Sequence, residues 1–321
     1  MLERSGTVVV FGETLVDEGS GAQAAGAPFN VARHLAAFLS PPLMITRVGE
    51  DRNGAIVRAE FERFVMPDLG LQVDPMEETG RALAGRGGQG QRAVLPPRQA
   101  YDFIDPRAAV AAMTGLAAPA AMLCFDTLVQ REERSRLALQ AVLASTPAKR
   151  FLDLNLHADH TGEAIVTRAL ETADIAKVNE EELQALFQWY FQIQPQDAPL
   201  SQDETHAACR ALMDRFGLEA LIVTLGHRGS VYFGADGGLI ANRDNPAPPF
   251  VIDTAGAGDA FSAIFLLGQV RGWPLALTLA RANEFAGAIC AVSGAVPRDM
   301  NFYDKWVNRW REPAVKADSA L

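Results

Sequence analysis

The chain has 321 residues, is 49% hydrophobic and 21% charged, and carries a formal net charge of −10. That balance suits a globular fold with a large core and excludes a broad basic face for nucleic acid or an anionic membrane, so any phosphate must be held locally. Cys124, Cys209 and Cys290 lie too far apart for a metal spacing or a disulfide framework, no apolar run reaches the roughly 18 residues of a membrane span, and no signal-peptide pattern opens the sequence; a cytoplasmic protein is expected.

In chain order, residues 8–11 form a short β-branched run that reads as a buried strand. Residues 29–39 have helical periodicity after Pro28, a favoured first-turn residue. Residues 43–48 read as a strand and 54–66 as a helix. Residues 69–97 break the pattern, being rich in Gly and poor in apolar side chains. They read as a mobile loop or, preferably, as a small β flap with its hairpin turn at 87–90. The alternation resumes with strands at 121–125, 151–154 and 175–178, each followed by a helix, at 132–143, 162–172 and 180–191. A polar loop over 192–202 leads to a helix at 205–216 and a strand at 220–225. Residues 231–233 and 239–241 flank GADGG and read as a hairpin. A helix follows 253–261, a long helix spans 275–292, and the charged tail from Arg309 is expected to fray. Strand and helix in alternation indicate an α/β fold with a mainly parallel sheet.

The stretch DTAGAGDAF, residues 253–261, sets an acid, small residues and a second acid directly before an apolar helix. Taken alone it is also an ordinary helix start. A helix that begins at AGAG presents free backbone N–H groups and a positive dipole end, and its small residues let an anion come close. Asp259 sits in the first turn, where a carboxylate beside a phosphoryl group is a candidate general base toward an attacking hydroxyl. There is no GxxxxGK[ST] run and no protein-kinase Gly-rich loop with HRD or DFG companions.

DTAGAGDAF resembles the C-terminal signature of the ribokinase-like (PfkB) carbohydrate kinases, and other matches follow in the family's order. GETLVDE resembles its first strand, which maps a sugar-binding Asp onto Asp17, and AGAPFNVA resembles GGAPxNVA, which maps sugar contacts onto Gly26 and Asn30. VGEDRNG matches VGxDxxG, and DIAKVNEEEL matches DIxKxNxxE, placing Asn179 and Glu182 near magnesium and phosphate, directly or through water. Asn179 and Glu182 are equally a helix-capping pair. Thr224, Gly226 and Gly229 fit TxGxxG of the nucleotide site, and RANEFAGAICAVSGAVP resembles the last helix, with Asn283 beside the adenine.

The resemblance implies a three-layer α/β/α sandwich with a predominantly parallel sheet, formed by residues 1–321 as one kinase domain. A small β lid contributed by about 12–25 and 69–100 would cover the sugar, and a homodimer through that lid is a further implication. ATP and Mg2+ are the implied cofactors, with a monovalent cation such as K+ an open addition. The catalytic set is Asp259 as base with Gly256, Ala257 and Gly258 as the anion hole. FDTLVQREERSR, AYDFI and the C-terminal region are most similar to bacterial fructokinases, so the expected reaction is fructose to fructose 6-phosphate. 2-Keto-3-deoxygluconate kinase and ribokinase are the alternatives in the same class, and a non-catalytic sugar or nucleotide sensor is the alternative outside it. Two departures bear on the pocket: Asp126 stands where the family usually has Gly, and His157 where NxR would place Arg.

Overall fold

The computed structural model describes residues 6–19, 21–83, 94–157, 159–194, 201–243 and 250–311. The first β-branched run, β1 (Thr7–Phe11), has its side chains sorted by the two-residue period of a strand. Val8 and Val10 enter one apolar cluster and Val9 and Phe11 another. Such a strand is covered on both faces, as parallel strands of α/β folds are.

Two short strands, β2 (Leu15–Asp17) and β3 (Gln23–Ala25), lead into α1 (Ala27–Ala37). Then come β4 (Leu43–Gly49), α2 (Arg52–Arg63), β5 (Leu71–Asp74) and β6 (Gly80–Ala82). The middle of the chain gives α3 (Pro106–Thr114), β7 (Ala120–Phe125), α4 (Glu133–Ala144), β8 (Lys149–Asp153) and α5 (Glu163–Thr172). It continues with β9 (Ile175–Asn179), α6 (Glu180–Phe191), α7 (Gln202–Phe216) and β10 (Ala220–Thr224). The hairpin β11 (Ser230–Gly234) and β12 (Leu239–Asn242) precedes α8 (Ala257–Arg271), α9 (Leu275–Ile289) and α10 (Asp304–Arg311).

Among the described residues nine strands form one sheet in the order β12-β11-β10-β9-β8-β7-β1-β4-β5. It is parallel from β10 to β5 and antiparallel only through the terminal hairpin. Helices α1, α2, α8, α9 and α10 supply one apolar layer, and α3 to α7 the other. The result is the expected α/β/α sandwich. Helix α8 is buried almost all round, since α1 and α9 close over the side turned away from the sheet. His34 on α1 is buried too, with Nδ1 2.9 Å from the Tyr303 hydroxyl and Nε2 3.2 Å from the Ala295 carbonyl.

A second sheet, β3-β2-β6, lies at one end and has its own small core of Leu15, Ala82, Leu95, Tyr101 and Leu128. Its three strands come from the two segments, about 12–25 and 69–100, expected to supply a lid. Leu71–Asp74, also inside the second segment, pairs instead with β4 and extends the main sheet. The proposed turn at 87–90 lies outside the described residues. Two helices depart from the sequence reading. Helix α3 follows the N-cap Asp105, whose carboxylate accepts from the Arg107 and Ala108 N–H groups, and Arg309 belongs to α10 rather than to a frayed tail.

Candidate active site

Ligands of open α/β sheets gather beyond the carboxyl ends of the strands. Registers such as Phe11↔Phe125 and Thr224↔Asn179 bring the ends of β1, β7, β9 and β10 to a common edge, from which most of the predicted site residues project.

Helix α8 enters this edge through Gly256, its N-cap, at φ 76°. A Cβ there would stand 2.3 Å from the Ala295 Cβ, so both the left-handed backbone and the close approach require Gly. The first helical bond returns from the Ala260 N–H to the Gly256 carbonyl at 2.9 Å. The N–H groups of Gly258 and Asp259 thus lie in the turn that has no intrahelical acceptor. Gly258 lies directly over Lys177, whose Nζ would be 3.3 Å from a Cβ at that position. Lys177 Nζ donates to Asp153 Oδ1 at 2.6 Å, and Ser262 Oγ on α8 donates to Asp153 Oδ2 at 2.6 Å. All three are buried. The ammonium, held charged by Asp153, Glu182 and Asp259 against the cost of burial, reinforces the positive helix end.

Asp259 is buried in the first turn, and its Oδ2 accepts from Asn30 Nδ2 at 2.7 Å. Burial and the Asp153 charge push its carboxyl up to about 7, while Asn30, Lys177 and Arg33 hold it back. That is the range in which a carboxylate serves as a general base at neutral pH. Asn30 is fixed from its other end by Arg33, which donates to Asn30 Oδ1 at 2.5 Å and pairs with Glu60 at 2.8 Å. Gly26, the N-cap of α1, has φ 117° and touches the Glu13 carbonyl, only 2.7 Å from where a Cβ would lie. Asp17 ends β2 in the small sheet and accepts from the Gly19 N–H at 2.9 Å.

Asn179 and Glu182 realise the capping box at the start of α6: Asn179 Oδ1 accepts from the Glu182 N–H at 2.9 Å and Glu182 Oε2 from the Asn179 N–H at 2.8 Å. Glu182 Oε1 accepts from Leu156 N–H at 2.9 Å. With both carboxylate oxygens already on backbone donors, this set fits a hydrated Mg2+ touched through water better than a directly ligated one. Burial raises the Glu182 carboxyl and Lys177 opposes the rise.

Thr224 closes β10, and Gly226 and Gly229 turn the chain into β11. Asn283 on α9 donates to Ser230 Oγ at 2.9 Å, so it lies against that same turn. Asp126 and Glu13 meet at the ends of β7 and β1, both buried. His157 lies beyond β8, its imidazole pushed down to about 4 by burial, His160 and Arg131, and hence neutral at pH 7. Lys177, Asp153, Ser262 and Glu13 were not singled out from the sequence. The available signal was a charge set among apolar neighbours, as in IAKV and FLDL.

Residues 8–300 match the family model of the pfkB family carbohydrate kinases. A ribokinase from Arabidopsis thaliana is 26% identical over 297 residues, spanning 89% of this chain and 72% of its own. A probable chloroplastic fructokinase-6 from the same plant is 28% identical over 325 residues, spanning 92% of this chain and 80% of its own. The crystal structure of a fructokinase from Vibrio cholerae O395, with fructose, ADP and calcium ion bound, superposes with a TM-score of 0.75 at 23% identity, over 94% of this chain and 99% of that one.

Proposed function

The chain belongs to the pfkB family of carbohydrate kinases, and from that premise we propose that it transfers the γ-phosphoryl group of ATP to a hydroxyl of fructose, giving fructose 6-phosphate and ADP. The observation that carries the reading is Asp259: a buried carboxyl, raised to about 7, in the first turn of α8 beside free N–H groups and the Lys177 ammonium.

In this reading the sugar hydroxyl gives its proton to Asp259 as its oxygen attacks the γ-phosphorus and the bond to the ADP oxygen breaks. The N–H groups of Gly258 and Asp259, with Lys177, offset the charge on the transferring group, while the Ala255 and Ala257 N–H groups turn to Asp253 Oδ1 and the Thr254 carbonyl. Asn30 points one N–H at Asp259 and offers the other to a sugar oxygen, with Asp17 and Gly26 completing the sugar contacts. Thr224, Gly226, Gly229 and Asn283 take the nucleotide. Asn179 and Glu182 would hold a hydrated Mg2+ through water, and the ion would supply neutralisation of the ATP phosphate charge. The small sheet acts as the lid, and its closure excludes water that would compete with the sugar as acceptor.

Fructose is placed first because of the motif resemblance and the fructokinase among the relatives. An acid sugar such as 2-keto-3-deoxygluconate is disfavoured, since His157, where the resemblance would place an Arg, is neutral. The test is ADP release from Mg-ATP with fructose, ribose, glucose, adenosine and 2-keto-3-deoxygluconate. Stimulation by fructose alone supports the full reading. Stimulation by another member keeps the chemistry and replaces the sugar, and silence across the panel in folded protein counts against Asp259 as a working base.

A further inference from the structure

Glu13 and Asp126 follow neighbouring parallel strands, just beyond the register partners Phe11 and Phe125, and each is 1% exposed. Each carboxyl uses one oxygen to accept a backbone N–H: Glu13 Oε1 from Ala27 at 3.1 Å, and Asp126 Oδ1 from Val129 at 3.4 Å. The remaining oxygens, Glu13 Oε2 and Asp126 Oδ2, are buried without a donor among the described residues. The register of β1 on β7 sets the two carboxyls side by side, and each acts on the other's proton affinity. As two carboxylates they would repel, and two buried acceptors would be left dry. One proton removes both faults: carried on Glu13 Oε2, it is donated to Asp126 Oδ2.

The surroundings favour keeping that proton. Asp153 and Asp259 act on Asp126 with like charge. Of the cations nearby, Lys177 is paired with Asp153 at 2.6 Å and Arg131 is tied to Asp102 by bonds of 2.7 and 2.8 Å, with its Nη1 left buried and unbonded among the described residues. Burial, with the neighbouring acids, pushes both carboxyls up.

On the sugar-site reading above, we propose that Glu13 and Asp126 share a single proton and that the protonated pair is a positioning device for sugar binding, holding the start of α1 through the Ala27 N–H. Ala27 opens α1 directly after Gly26, and Asn30 follows within the first turn on Asp259. The Glu13 carbonyl also packs on Gly26, so Glu13 touches this segment twice. On loss of the proton the two carboxylates repel, and the displaced Glu13 draws the Ala27 N–H with it, taking Gly26 and Asn30 out of register with the sugar. Asp126, which replaces the family's usual Gly, is therefore a positioning residue acting through Glu13, and the pH dependence it introduces belongs to KM for the sugar rather than to kcat.

The experiment is the pH dependence of KM and kcat for fructose in wild type, Glu13→Gln and Asp126→Asn, paired with thermal melts across the same pH range without substrate. The amide of Glu13→Gln reproduces the protonated state permanently: its oxygen accepts from Ala27 and its nitrogen donates to Asp126. In wild type, KM rises on the alkaline side of neutrality by about tenfold per pH unit once the proton is lost, with kcat nearly flat there. Glu13→Gln removes that limb and flattens the alkaline fall of the melting temperature. A wild-type KM and melting temperature level to high pH, or a Glu13→Gln profile that keeps both alkaline limbs, overturns the proposal. If Glu13→Gln does not fold, Asp126→Asn serves, since its amide donates to an ionised Glu13 and leaves no shared proton to lose. If no sugar is turned over, the melts and the infrared difference spectrum of wild type minus Glu13→Gln, in which Asp259 cancels because both proteins carry it and a protonated-carboxyl band therefore belongs to the pair, decide the shared proton separately from the kinase reading.

Discussion

Asn30 and Asp259, 229 positions apart in the chain, are joined by a hydrogen bond of 2.7 Å from Nδ2 to Oδ2. The bond links the first turn of α1 to the first turn of α8, so the sugar side and the phosphate side of the proposed site are held to each other through the base itself. Arg33, a turn further along α1, grips the far end of Asn30 and prevents the amide from rotating away.

Replacing the base while keeping that bond isolates its chemistry. Asp259→Asn retains a carbonyl oxygen for Asn30 and loses proton acceptance. Turnover should fall by about 10²–10⁴-fold, as for loss of a general base. Sugar binding, measured by calorimetry, should remain within a few-fold of wild type. Near-normal turnover in this variant would sink the assignment.

The raised carboxyl of Asp259 has a signed consequence. The base acts ionised, so kcat/KM should rise with pH up to about 7 and level off above it, to the point where sugar binding weakens. Stability runs the other way. Between the ordinary value of 3.8 and about 7 the folded state binds more protons at Asp259 than the unfolded state, so this contribution to stability falls as pH rises. Asp259→Asn should remove that part of the slope in melts taken between pH 4 and 8. An acid limb centred near the ordinary carboxylate value would contradict the burial argument.

These groups also show what a sequence can disclose. The core strands were legible because β-branched runs such as TVVVF are covered on both faces, whereas the small residues before α8 read equally as a helix start until the motifs elsewhere in the chain joined them. Leu71–Asp74 was not, since its one apolar-to-polar alternation inside a Gly-rich segment looks the same in a flap as at the edge of the main sheet. Lys177, Asp153 and Ser262 were missed for another reason. Each reads alone as a solvated residue or a strand end, and only the register of β8 on β9 and the seating of α8 bring them together. Glu13 and Asp126 likewise become a pair only through the pairing of β1 with β7.

Gly256 tests the anion hole by shape. In Gly256→Ala the new methyl group meets the Ala295 Cβ, and the φ of 76° becomes strained. Together these should cost about 2–4 kcal/mol of stability, read in urea unfolding. Because the displaced segment is the helix start, KM for Mg-ATP should rise and kcat fall as well. A variant as stable and active as wild type would mean that the Gly256–Ala295 approach is not tight in solution.

Lys177 separates a structural cation from one that serves the phosphate. Lys177→Met alone leaves Asp153 buried with only the Ser262 hydroxyl as its partner, a loss of about 3–5 kcal/mol as for a broken buried pair. Lys177→Met with Asp153→Asn removes both charges, and Ser262 keeps a carbonyl to bond, so folding should largely recover. If the ammonium only balances Asp153, activity recovers with the fold. If it supports the transferring phosphoryl group beneath Gly258, kcat stays at least tenfold low in the folded double variant while KM for the sugar is near normal. The second outcome is expected, because Nζ lies close under the helix start and pulls the Asp259 carboxyl down. The single variant, if folded, supplies an independent check, since losing that pull must move the acid limb of kcat/KM to higher pH.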